Sequence, residues 1–182
     1  MAVSSIVMIA VYAFFINGIR YYRTSNTNLE LQRACLSALT QISNEIAEGS
    51  KLSFVTFREG EADVPGIIFG SPRNAAGNVE FSGQNIMWMK FVCYYRGEVN
   101  GVSTLMRKEL PLIPPRDDAP VVPAGLTPES FSTDATLPAR VVSRQVVYFD
   151  VNDSHPFVVK LAAEDQQAQF RVEVSTSLNL QN

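Results

Sequence analysis

Nineteen consecutive residues without a charged side chain, Met1 to Ile19 (MAVSSIVMIAVYAFFINGI), constrain this chain more than any other feature. At about 1.5 Å of rise per residue, a helix of that length spans roughly 28 Å, close to the ~30 Å hydrocarbon thickness of a bilayer. Its polar side chains are only Ser4, Ser5, Tyr12 and Asn17. Arg20, Tyr21, Tyr22 and Arg23 follow at once, the aromatic and basic collar of a membrane interface. The pattern predicts a transmembrane segment with its collar over 1–23. Ile6, Val7, Ile9, Val11, Phe14, Phe15 and Ile16 are its candidate lipid- and helix-facing side chains. A buried core helix would carry a polar stripe. A cleaved secretory signal would carry a basic start, a shorter apolar run and a small-residue exit. The run has none of these.

From Thr27 the pattern turns amphipathic, so 24–49 reads as a second, water-facing half of the helix. Leu29, Leu36, Leu39, Ile42 and Ile46 recur at helical spacing among polar residues, and Leu36, Leu39, Ile42 and Ile46 are expected to pack on a sheet. Thr27 and Glu30 fit a capping box, so the sequence leaves open whether the long helix runs unbroken through 24–28 or restarts there, and Gly49 is the expected stop.

Residues 50–182 read as strands. Short apolar runs cover Leu52 to Phe57 and Gly66 to Phe69. Met87, Met89, Phe91, Cys93 and Tyr95 share one face, and Asn100-Gly101 turns that strand into Ser103 to Leu110. Val141 to Phe149 and Phe157 to Ala163 predict two more strands. The last has Phe170, Val172, Val174 and Thr176 facing one way. One long helix on an antiparallel sheet with a single buried face is an α+β architecture. Two insertions interrupt it: Ser71 to Asn85, rich in Asn, Gly and Ala, and 111–138, which holds seven of the ten prolines. Each proline removes a backbone donor, so 111–138 is expected to be a mobile loop without a continuous strand.

A net charge of −3 and a pI near 5.2 argue against nucleic acid as a direct partner, because neutralising phosphates takes a basic face. Two cysteines and one histidine do not make a typical zinc site, and no hydrolase, kinase or phosphate-loop motif occurs. His155 lies in the turn-like Asp153-Ser154-His155-Pro156 and reads as a solvated residue. Asp150, Asn152 and Asp153 offer oxygens, but the spacing misses a calcium loop. No catalytic residue, metal or cofactor is assigned. Cys35 on the helix and Cys93 on a strand are both expected to point into the helix–sheet core. An extracytoplasmic location permits their disulfide, and the sequence leaves that pairing open.

An apolar N-terminal span that runs into an amphipathic helix on an antiparallel sheet resembles the type IV pilins and type II secretion pseudopilins. LELQRACLSALTQISNEIAEGS is similar to the C-terminal half of the long helix in J-type minor pseudopilins and related minor pilins. MKFVCYYRGEVNGVSTLMRKEL resembles their hairpin, and FRVEVSTSLNLQN resembles their closing strand. The resemblance implies a pilin-like fold and a non-enzymatic subunit of a pilus or pseudopilus. It also implies other such subunits, an inner-membrane assembly platform and the lipid bilayer as partners. The expected location is the bacterial inner membrane, single-pass, with the C-terminal domain outside the cytoplasm. Family members begin with a basic leader, a glycine at the cut, an aromatic residue and a glutamate at the fifth mature position. Met1-Ala2-Val3 would match the residues just after that glutamate, so the resemblance implies a leader ahead of Met1; with Met1 as the true start, leader processing and the family's filament packing would not be expected. Such a leader offsets the pull of Arg20 and Arg23, which by the positive-inside rule favour a cytoplasmic C-terminal side. Two other readings compete: a single-span anchored binding or sensor domain that never assembles, and an anchored enzyme with its site in the Pro-rich segment.

Overall fold

In a computed structural model, Ala2–Ala47 form one unbroken helix, α1, about 69 Å long at the standard rise. The structure describes residues 2–152, 154, 156–165 and 170–178, without the side chains of 2–7, 9 and 10. Asp153 and His155, singled out in the sequence, lie outside the described residues. The helix does not restart at Thr27. The Thr27 hydroxyl donates to the Arg23 carbonyl (3.1 Å), as Thr24 does to Arg20 (3.0 Å), so each bonds back one turn and sits inside the helix. Glu30 accepts from Asn26 instead of completing a cap.

After α1, the Ser50 hydroxyl accepts from Leu52 N and opens a 3-10 turn, Lys51–Ser53, which leaves only Val55–Phe57 (β1) of the expected first strand. Gly66–Ser71 (β2) pairs with it. Phe81–Ser82 (β3) and Asn85–Ile86 (β4) make a small ribbon from the Asn- and Gly-rich insertion. Trp88–Val99 (β5) and Val102–Arg116 (β6) form the central hairpin. Its turn is Asn100-Gly101 at φ 54° and 75°, the left-handed pair that a two-residue hairpin loop needs. β6 runs on through Pro111, Pro114 and Pro115 to Arg116. Arg140–Arg144 (β7) pairs only with its Thr104 to Arg107 stretch, so no strand on that side asks the prolines for a donor. The expected strand Val141 to Phe149 is two strands. Gln145, at φ 61°, breaks it, and Val146–Asn152 (β8) leaves for a second sheet with Phe157–Asp165 (β9) and Phe170–Leu178 (β10). The orders are β1-β2-β5-β6-β7 and β10-β9-β8, antiparallel throughout.

The molecule is thus α+β, with one long helix packed on antiparallel sheets. A single sheet with one buried face is not what forms. On the helix side of the five-stranded sheet, Ile67, Phe69, Val92, Tyr94 and Leu105 meet α1 and the three-stranded sheet's Phe149, Val159 and Leu161. Phe157, Phe54, Phe69 and Tyr94 form a row of rings with centroids 5.4, 5.4 and 6.2 Å apart, the first pair tilted and the other two stacked, which ties the two sheets together. On the other side, Ile68, Phe91, Cys93, Tyr95 and Met106 are covered by Val122 and Phe131, with Leu126 and Leu137 against them. The Pro-rich segment is therefore a packed strap, not a mobile loop.

Three devices hold the strap. Thr127 and Ser130 cap each other around the short helix Pro128–Thr133 (α2), which has proline in its first turn. The buried Lys108 ammonium donates to the carbonyls of Phe131 (2.6 Å), Asp134 (2.7 Å) and Ser132 (3.3 Å), satisfying the last turn of α2. Glycines on β2 let it approach, since a Cβ at Gly66 would lie 2.9 Å from Pro128 and one at Gly70 3.0 Å from Pro120.

Candidate functional site

The helix has a covered half and an uncovered one. Leu31, Cys35, Ala38, Leu39, Ile42 and Ile46 form the buried stripe. Leu39, Ile42 and Ile46 pack as the sequence predicts, whereas Leu36 does not: it is 55% exposed. At roughly 100° per residue, Leu36 stands a quarter-turn off the Cys35 direction, outside the stripe. Cys35 points into the helix–sheet core as expected, whereas Leu31 and Ala38 were missed because the apolar Leu29 and Leu36 drew the face to the wrong side.

Charges fasten the covered half. Arg107 donates to both Glu45 and Glu109, and Lys90 donates to Glu109 (2.8 Å). Gln41 donates to the Tyr94 hydroxyl (3.1 Å), and the Arg107 guanidinium lies 5.8 Å from the Tyr94 ring centroid. Burial opposes ionisation of Glu109, but the hydrogen bonds from Lys90 and Arg107 outweigh it and hold the carboxyl below its usual range. Burial raises the Tyr94 pKa, and Glu45 adds to the shift. At the end of α1, Glu48 pairs with Arg73. These three cations, Lys90, Arg107 and Arg73, face three carboxylates, Glu45, Glu109 and Glu48, with no free nucleophile among them, and they fix the helix to the sheet.

Cys35 and Cys93 are free, and they lie in the two different cores on opposite faces of the five-stranded sheet. The sheet stands between them, so the disulfide that the sequence left open does not form, and Cys93 lies on the strap side and not in the helix–sheet core expected for it. Burial raises both thiol pKa values. Neither sulfur is a ready nucleophile.

Before Leu31 none of the described side chains of α1 is buried in the core. Val11, Phe14, Phe15 and Ile19 are exposed, Phe14 at 80%, and Ile16 is partly covered. Ile6, Val7 and Ile9 fall on helical backbone, and their side chains lie outside the described ones. Arg20, Tyr21, Tyr22 and Arg23 are all exposed and, about 100° apart in turn, ring the helix. Neither arginine forms an ion pair among the described residues. A shallow groove of about 380 Å³ runs along this surface, lined by Phe14, Phe15, Gly18, Ile19, Tyr22 and Arg23. Gly18 is its floor, with nothing within 4 Å of where a Cβ would stand. Among the described residues no helix is long and apolar enough to cross a membrane, and of the first ten side chains only Met8 is described. Contiguous apolar surface on this scale marks a surface that something else covers.

Elsewhere, Ala47 to Leu52, Ile86 and Trp88 line a 660 Å³ groove beyond the end of α1. A 350 Å³ cleft beside the hairpin turn is lined by Ser103, Gln145, Glu164 and Asp165. Among the described residues no three His, Cys, Asp or Glu side chains converge as metal ligands. No protein-family profile matches the chain, and neither a curated protein nor a solved structure is significantly similar to it.

Proposed function

We propose that this chain is a non-enzymatic minor pilin or pseudopilin subunit, held in the bacterial inner membrane by 1–23 and assembled through α1 into a type IV pilus or type II secretion pseudopilus. The supporting observation is the continuity of α1, whose uncovered apolar half runs without a hinge into the half fastened to the sheets. A domain that merely needs tethering tolerates a flexible linker. A subunit that must hold its domain at a fixed place on a spine needs a rigid one. In lipid the free half satisfies its backbone internally, and on extraction neighbouring helices cover the same side chains. The domain then faces outward, outside the cytoplasm.

The test introduces a charge in the apolar run. Ile9→Lys should cost about 2.5–3.5 kcal/mol of membrane insertion and remove the chain from both the membrane and the sheared-filament fractions. If the wild-type chain stays in the membrane and never enters the filament fraction, the anchored sensor or binding domain is the correct reading. Unchanged fractionation of the lysine variant overturns the anchor itself.

A further inference from the structure

The dipeptide Asn-Gly occurs twice, as Asn17-Gly18 within α1 and as Asn100-Gly101 in the turn between β5 and β6. In it the glycine nitrogen can attack the carboxamide carbon of the asparagine side chain, since no Cβ on the glycine blocks the approach. Ring closure needs that nitrogen eclipsed with the asparagine Cβ about the Cα–C bond. For an L residue this is a ψ of about −120°, the value at the first central residue of a type II′ turn. Asn17 is far from it: the helix holds ψ at roughly −42° and engages the Gly18 N–H with a carbonyl one turn back. Asn100 is close to it. It stands at φ 54° with Gly101 at φ 75°, a type I′ pair. A type II′ turn starts from the same φ, about 60°, so flipping the single peptide between the two residues converts one turn into the other. Both turns suit a two-residue hairpin loop, so the closing pair Val99↔Val102 stays in register, and glycine tolerates the swing of its own φ. Asn100 and Gly101 are exposed, and among the described residues neither the carboxamide nor the Gly101 N–H is hydrogen-bonded.

We propose that Asn100 is a self-modification site, at which the folded hairpin turn closes Asn100-Gly101 into a succinimide. The bond from Gly101 N to Asn100 Cγ forms, the bond from Cγ to Nδ2 breaks, and the Gly101 amide proton leaves with the amine as ammonia. Water alone reopens the ring. Addition at Cγ gives aspartate, and addition at the main-chain carbonyl gives isoaspartate, whose main chain runs through Cβ and Cγ. Asp-Gly fits the same two-residue turn, so the aspartate product keeps the hairpin. Isoaspartate puts one more atom into the loop and breaks the Val99↔Val102 pairing. Either product adds a carboxylate beside Glu98, whose Oε1 lies 3.9 Å from where a Cβ on Gly101 would stand. The site lies on the sheet domain and is independent of how α1 is used.

The test incubates the full chain in detergent micelles at mildly alkaline pH and digests it with trypsin in mild acid, which keeps the ring closed. Cleavage at Arg20, Arg96 and Arg107 separates Met1–Arg20 from Gly97–Arg107. Mass spectrometry should find loss of ammonia, and later the exchange of NH for O, in Gly97–Arg107 and not in Met1–Arg20. The ring should form at least as fast in the folded chain as in a synthetic Gly97–Arg107 peptide, because the turn supplies the orientation that the free peptide must find. Ile42→Ala, which empties a core site, should leave the rate unchanged, since closure does not pass through the unfolded chain. Asn100→Gly should abolish the mass change and keep a cooperative thermal transition, because Gly-Gly suits the same turn. An intact Gly97–Arg107 mass, closure slower than in the free peptide, equal modification at Asn17, or a rate that climbs in Ile42→Ala overturns the proposal.

Discussion

The two sets of apolar side chains on α1 meet opposite fates. Leu31, Cys35, Ala38, Ile42 and Ile46 are buried by their own chain, while Met8, Phe15, Tyr22, Leu29 and Leu36 are left to solvent. The buried stripe steps by four and three, which keeps an apolar side chain on the face turned to the sheets at every turn. The exposed residues lie in directions that the sheets do not cover. Hydrophobicity alone therefore does not say where a helical side chain goes; its direction around the axis does. The comparison breaks most directly by truncation. Ile42→Ala should cost about 2–5 kcal/mol in urea unfolding, because it empties a site enclosed by α1 and both sheets. Leu36→Ala, only six residues away, should stay within about 0.5 kcal/mol. Similar losses at the two positions would mean that the two sets are not distinct.

Much of this was legible in the sequence, and the failures have physical causes. The central hairpin was readable because Asn100-Gly101 fits a left-handed two-residue turn and little else. The last strand was readable because β10 keeps one face in water, with Arg171 and Glu173 outward. The strap was not. In β5 both faces are buried, so Val92 and Tyr94 fill the positions where a one-sided strand shows polar residues. That doubly apolar stretch was the sign of a second covering layer, and with it of the separated cysteines. The Lys108 clamp was invisible because its partners are backbone carbonyls 23 to 26 residues away, which leave no mark on composition. Within the candidate site, the apolar run and its collar were plain. The exposure of Leu36 beside the buried Cys35 was not.

The sheet's two faces offer a sharper version of the comparison, since one is covered by helix and sheet and the other by a proline-rich strap. Lys108→Met should destabilise the protein by about 1.5–3 kcal/mol, because it removes a charged donor and strands carbonyls that it satisfied. The loss should be local: new protease cleavage within 117–139, with α1 still protected. Tyr95 lies under the strap, and burial pushes its phenol up to about 12. In the variant its absorbance titration should move back toward the ordinary tyrosine range. Cleavage in α1 at the same rate as in the strap would show that the two faces unfold as one.

The smallest effect concerns the charges that fasten the covered half of α1. Lys90 and Arg107 hold the Glu109 carboxyl below its unfolded value of 4.5. A depressed carboxyl contributes stability that is fully present above the unfolded pKa and is lost as pH falls through the folded one. Glu109→Gln should therefore be less stable than wild type by a constant margin from pH 7 to about 5, and that margin should shrink as the pH drops further below 4.5. A chain lacking 1–23 should give the same curve, because none of the described side chains of that segment is buried in the core or bonds to Glu109. A margin that persisted at pH 3 would mean that the glutamine is destabilising through its shape and not its charge. A curve altered by the truncation would mean that the free half of the helix is coupled to the covered half, and the separation of the two regions would fail.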